Sequence, residues 1–438
     1  MLGYRKFKID GQLVLKKIGF WSVFAIVISS QVGSGVLILP VTLAPFGLYS
    51  ILGWIISGLG AISLALVFGG LCRHFPKTGG PHAYVHATFG NTAAFFTGWT
   101  YWVISWFSTT AVVIASIGYL SPFIGDQSPV TYLVLEIILL LAITWINLKG
   151  IHLAGRAGFV LTLLKTLPLF ILPIAAFWYF DRHHFVTQPE IIQQPLSTTL
   201  AQVTLLTLWG FIGLESATTS AGSVINPERT IPRAIIFGTA CAAILYLINS
   251  VGIMGLMPAD ILSRSKAPYI DATNTMFGGE WHLIIAVIAS VICIGTLNAW
   301  MLASGQIALG LAEDHLLPAY FKKTNKNHAP IVGLTISAIG ILPFLGLMVH
   351  HSIAKQISTI IDYSVTAFLF IYLICTLAYI KILIRKKARW YHWIYTLLGG
   401  AFCLWILSET SITIIGTAAL FIVSGVPVYF IWYRRKKV

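Results

Sequence analysis

Long apolar runs separated by short polar connectors recur from one end of the chain to the other. Runs near 17–47, 49–73, 91–122, 129–148, 155–180, 199–223, 233–257, 282–311, 330–350, 356–384, 391–408 and 411–433 each supply the roughly 20 mainly apolar residues that a membrane-crossing helix needs. The pattern predicts an all-α membrane protein of about twelve transmembrane helices. Two runs are interrupted. Ser29-Ser30-Gln31-Val32-Gly33-Ser34-Gly35 breaks the first, and Trp209-Gly210-Phe211-Ile212-Gly213-Leu214-Glu215-Ser216 breaks the sixth. Glycine weakens a helix interior by about 1 kcal/mol against alanine, and backbone opened toward lipid goes unsatisfied. Such breaks persist only where they line a cavity.

The sixth run starts five spans after the first, so the two enter the membrane from opposite sides. This odd offset makes spans 1–5 and 6–10 inverted repeats, about 17–180 and 199–384, inside a 1–390 core. Residues 391–438 then add two helices and a basic tail. Paired broken helices at matching positions point to a midplane binding site.

Composition agrees with a membrane protein. Charged residues are 10% of 438 and hydrophobic residues 57%, with mean hydropathy +0.85. A water-soluble fold with that balance would carry a largely apolar surface. The net charge of +14 raises nucleic acid as a partner, but its placement speaks against one. Of 28 Lys and Arg, only Arg182, Arg264, Lys266 and Lys355 fall on the outer side when both termini are cytoplasmic. This is the positive-inside pattern, and it predicts a multi-pass protein of the bacterial inner membrane. The basic N-terminus runs into an apolar stretch too long for a cleaved signal peptide.

Cys72, Cys241, Cys293, Cys375 and Cys403 have no metal-site spacing and read as small buried hydrophobes. His82 and His86 are four apart but lack further ligands, so they read as surface-helix residues and no metal or cofactor is expected. No HExxH, GxSxG or clustered His/Asp set suggests an enzyme, and no repeated filter loop suggests a channel. Residues 75–90 suit a short re-entrant or surface helix, 258–281 an outer lid, and 313–328 a basic connector broken at Pro318.

Five motifs occur in a familiar order: Gly33-Ser34-Gly35, the Pro76–Gly90 loop with Gly79-Gly80-Pro81, Trp209–Glu215, Asn226-Pro227-Glu228-Arg229-Thr230-Ile231-Pro232-Arg233-Ala234, and Asp314-His315-Leu316-Leu317-Pro318. Together they resemble the amino acid–polyamine–organocation transporters over nearly the whole chain, and within them the basic amino-acid/polyamine antiporters, the arginine/agmatine antiporters among them. The resemblance implies the LeuT-type 5+5 repeat and a secondary active carrier working by alternating access. It points to exchange of cationic amino acids or their amines, with proton-coupled uptake of neutral amino acids as the alternative. Protons and a homodimer remain open as partners.

Amides freed at Gly33, Ser34 and Gly35, beside Gln31, would meet a substrate carboxylate, since a half-helix N-terminus is an anion site. A notch for helix packing is the other reading. Carbonyls near Trp209 and Ile212 would face an ammonium, with Trp209 covering it. Glu215 resembles the family's proton-coupling carboxylate, or else ties helices together. Lys165 stands where related proton-coupled permeases replace a sodium ion, as a tether or a proton carrier. Asp362 matches a position beside the substrate's distal end, where it would pair with a cation or with another helix. Tyr101, Ser105 and Thr109, four apart, would line the pocket or bond their own backbone. Trp300 matches an aromatic that stacks on a guanidinium. Glu228, Arg229 and Arg233 would form inner-gate ion pairs or a solvated loop.

Overall fold

A computed structural model describes residues 7–9, 12–14, 18–77, 79–125, 127–149, 169, 171–265, 267–327, 329–349 and 353–434. Apart from a small hairpin of β1 (Phe7–Ile9) and β2 (Gln12–Val14), paired antiparallel, the named elements are helical. Nine segments among the described residues are long and apolar enough to cross a membrane: Phe20–Phe46, Tyr49–His74, Asn91–Gly118, Pro129–Leu148, Pro227–Leu256, Trp281–Glu313, Ile331–Met348, Lys355–Lys386 and Ile412–Trp432. Each matches a stretch expected from sequence. A shorter apolar helix, Leu196–Phe211, opens the sixth stretch, and a 20-residue helix, Trp390–Glu409, occupies the eleventh. Most of the fifth, 155–180, and Lys165 with it, lies outside the described residues.

The helices used below are α1 (Phe20–Gln31), α2 (Ser34–Leu43), α3 (Tyr49–His74), α4 (Pro81–Phe89), α5 (Asn91–Gly118), α6 (Pro129–Leu148), α7 (Leu196–Leu208), α8 (Pro227–Leu256), α9 (Pro268–Phe277), α10 (Trp281–Glu313), α11 (Ile331–Met348), α12 (Ile353–Lys386), α13 (Trp390–Glu409) and α14 (Ile412–Val423). α5 is the central pillar. Its most apolar window is 94% buried, against 22% for α6 and 11% for Ile412–Trp432, and it packs on α10, α11 and α12. α6 shows the inverted surface that lipid permits. It turns Val134, Ile138, Leu141 and Trp145 outward and keeps Leu140, Ile143 and Asn147 inside. On the other side, α3 lies along α8 and α7.

The first span is broken. α1 ends at Gln31, Val32 is extended, and α2 restarts at Ser34. Pro40 lies inside α2 and has no N–H to give the Val36 carbonyl four residues back. The Tyr269 hydroxyl from α9, in the 258–281 connector, takes that place 3.2 Å from Val36 O, and it also lies 2.8 Å from Asn249 Oδ1. The sixth span breaks after α7. A 3-10 turn at Trp209–Phe211 leads to extended Ile212, and a second 3-10 segment covers Ser216–Ser223. Gly213 turns the chain at φ +98, a conformation that a side chain would strain.

Two expectations need correction. His82 is 1% exposed rather than a surface residue. Its ring meets Asp314 at 3.1 Å, and Gly98 and Gly310 leave the space it fills. Four cysteines are buried as expected, but Cys241 is exposed on α8, in an apolar stretch where lipid replaces protein as its neighbour.

Candidate functional site

The two breaks face each other across one cleft. Ser30, in the last turn of α1, stitches them together: its hydroxyl lies 3.0 Å from Gly213 O and 2.6 Å from Ser216 Oγ. Tyr246 of α8 donates to Gln31 O at 2.8 Å and stacks on Trp54 with ring centroids 4.7 Å apart. The cleft, about 370 Å³ with open solvent at its mouth included, is bordered by Gln31, Gly33, Ser34, Gly35, Trp209, Ile212 and Trp300. All seven were singled out from the sequence. Ser30, Ser108, Val112, Tyr246 and Thr296 complete the lining; no lining residue carries a formal charge.

The glycines of the first break are contact positions. A Cβ on Gly35 would lie 2.9 Å from Trp209 Cδ1, and one on Gly33 would lie 2.7 Å from Thr296 Cγ2. Both glycines therefore let the second break and α10 approach the N-terminus of α2. The N-cap residue Gly33 has no side chain to cap that terminus, and the first N–H groups of a helix have no partner within it. Across the cleft, Gln31 Nε2 donates to Thr239 Oγ1 at 2.9 Å, while Gln31 Oε1 is buried and bonds nothing. The cleft thus offers uncapped donors, an unmet acceptor and two indoles.

Glu215 lies just beyond the second break, fully buried. Its Oε1 accepts from the Tyr101 hydroxyl at 2.7 Å and its Oε2 from Tyr372 at 2.8 Å. Hydrogen bonds to both oxygens satisfy a carboxylate that lipid or an apolar core would not tolerate bare. Phe368 packs against Trp300, Tyr101 and Tyr372, with centroids 6.3, 5.6 and 6.1 Å away, so one aromatic ring separates the cleft from the carboxyl assembly.

Other singled-out residues fall elsewhere. Tyr101 directs its hydroxyl to Glu215, and Ser105 bonds Trp102 O and Ser304 Oγ at 2.6 and 3.0 Å. Thr109 is buried on α5 and Asp362 half-buried on α12, neither bordering the cleft. Among the described residues the ion pairs are His82–Asp314 and His183–Asp181, so Glu228, Arg229 and Arg233 form none here. The missed pair Ser108 and Val112 follows from helix geometry. Positions 101, 105, 108 and 112 keep one face of a 3.6-residue helix, whereas strict steps of four drift round it. Ser30, Tyr246 and Thr296 had no such local signal.

The amino acid permease family model matches residues 18–433 of the chain. The chain belongs to this family. It is therefore a membrane transporter, not an enzyme. A Bacillus subtilis (strain 168) protein assigned as an arginine/ornithine antiporter is 30% identical over 404 residues, covering 85% of this chain and 86% of that one. The putrescine transporter PotE of Haemophilus influenzae is 30% identical over 374 residues, 85% of each chain. The cadaverine/lysine antiporter of Escherichia coli (strain K12) is 31% identical over 330 residues, 74% of this chain and 73% of its own.

Proposed function

We propose that this permease exchanges cationic amino acids for amines by alternating access, with the substrate held in the cleft between the two helix breaks. The relatives named above support that substrate class. The observation that carries the reading is the composition of the cleft: uncapped amides at the start of α2, the unmet Gln31 Oε1, and the Trp209 and Trp300 rings. An α-carboxylate suits the amides, an ammonium suits the free acceptor, and a cationic side chain suits an indole face. Ser108, Val112 and Thr296 then border the remaining space.

In this reading the broken helices belong to inverted repeats of about 17–180 and 199–384, with residues from 391 onward outside the core. Both termini face the cytoplasm of a bacterial cell, and the protein sits in the inner membrane. Glu215 takes up and releases a proton as the site changes sides, and Lys165 serves as a tether or second carrier. Asp362 receives the distal amine in a conformation where α12 has closed on the cleft, and Glu228, Arg229 and Arg233 pair when the inner side shuts. A thermal-shift screen tests the substrate class. Lysine, arginine, ornithine, putrescine and cadaverine should raise the melting temperature; stabilisation by leucine or alanine alone would favour a neutral amino-acid importer.

A further inference from the structure

Basic side chains that the transport cycle leaves unused gather where α3 and α12 end and α13 begins. Arg73 and His74 occupy the last turn of α3, Lys386 that of α12, and Arg389 is the N-cap of α13. The three helices pack on one another, so these ends meet. Lys386 Nζ lies 3.3 Å from His74 Nδ1, and the Arg73 charge acts on both His74 and His392, with Lys386 and Arg389 adding to it. Neither of the ion pairs among the described residues lies here, so none of the described carboxylates pairs directly with the group.

Helix dipoles explain only half of this arrangement. Cations at the ends of α3 and α12 complement the negative pole there, but Arg389 sits at the positive pole of α13. A cation and an uncapped helix N-terminus at one point both call for an anion. Beside it, Trp390 is 73% and Tyr391 43% exposed, as aromatic residues are at headgroup depth. Deeper along α13, Ile394, Leu397 and Leu398 are also exposed and present an apolar surface of the kind acyl chains cover. Arg73, Lys386 and Arg389 are exposed, free to reach a ligand.

We propose that this junction binds the phosphate headgroup of an anionic phospholipid, with its acyl chains along Ile394, Leu397 and Leu398. The site would bear on the transporter's interior. Tyr379 of α12 bonds His392 and Tyr395 of α13 at 3.1 and 2.9 Å and presses against Gly70 of α3. Two turns along the same helix, Tyr372 holds Glu215. A lipid bridging the three ends would steady that helix.

Native mass spectrometry of the detergent-purified full chain, titrated with phosphatidylglycerol or phosphatidylcholine, tests the proposal. Phosphatidylglycerol should be retained and phosphatidylcholine should not. Arg73→Gln/Lys386→Gln/Arg389→Gln should weaken retention by about fivefold per charge, on the order of a hundredfold in all. The control Lys322→Gln/Lys323→Gln/Lys326→Gln removes equal charge from another basic connector and should retain the lipid nearly as well. Equal loss in both variants would mean that only overall charge matters and would overturn the site. Displacement of the lipid by millimolar inorganic phosphate would also overturn it, by assigning the junction to a free anion.

Discussion

Gly35→Ala is the smallest change that tests where the substrate binds. The added methyl would lie 2.9 Å from Trp209 Cδ1, 3.2 Å from its Nε1 and 3.6 Å from the Tyr246 hydroxyl. Ordinary carbon–carbon contact begins near 3.5 Å, so the indole must retreat by about half an ångström or more. In the empty protein Trp209, half-buried at the cleft, can retreat into the opening. With substrate present that opening is filled, and the strain falls on the bound state. Overpacking of this kind typically costs about 1–3 kcal/mol, which is roughly a fivefold to a hundredfold loss in affinity. Titration calorimetry with lysine and with cadaverine measures it, while the unliganded melting temperature should change little. Gly35→Leu, which would fill the carboxylate position, should abolish binding while leaving expression and folding largely intact. If Gly35→Ala bound both ligands within twofold of the native protein, and Gly35→Leu still bound, the cleft would not be the substrate site.

Other outcomes follow from particular contacts. Glu215→Gln keeps an acceptor and a donor for the Tyr101 and Tyr372 hydroxyls, so substrate binding should persist while the pH dependence of transport flattens; an unchanged pH profile would remove the coupling role. Tyr269→Phe removes the one hydroxyl proton that Asn249 Oδ1 at 2.8 Å and Val36 O at 3.2 Å share, and an unmet buried acceptor costs about 1–3 kcal/mol. The variant should melt earlier in detergent, and unchanged melting would mean another group serves these acceptors. The His82 hydrogen bond holds the Asp314 carboxyl below its usual range. A depressed carboxylate stabilises the fold above its unfolded pKa of about 3.9 and loses that effect as pH falls through the folded value. Asp314→Asn should therefore lower the melting temperature at pH 6, with the gap closing in stronger acid; an unchanged melting temperature at pH 6 would contradict this.

Legibility in the sequence followed the range of each interaction. The apolar stretches were readable because lipid imposes length and hydropathy locally, and nine described helices fall on them. The breaks were readable because Gly33, Gly35, Gly210 and Gly213 stand out in otherwise apolar runs. Glu215 stood out as a carboxylate among such residues, but its two phenolic partners lie 114 and 157 residues away and no local pattern marks them. The same holds for Ser30 on the second break and Tyr269 on Val36. The burial of His82 depended on space at Gly98 and Gly310, which only packing reveals. On α5 the cleft is bordered by Ser108 and Val112, which continue the face of Tyr101 and Ser105 further along the helix, while Thr109 turns off that face.

Counterflow in proteoliposomes tests the central claim most directly. Vesicles holding the purified protein are loaded with cadaverine, putrescine or buffer, and uptake of labelled lysine is followed with the membrane potential clamped. An exchanger built around this cleft should accumulate lysine rapidly into amine-loaded vesicles and scarcely at all into empty ones, and Gly35→Leu should abolish both. Equal lysine uptake into loaded and empty vesicles would contradict obligatory exchange of cationic amino acids and amines.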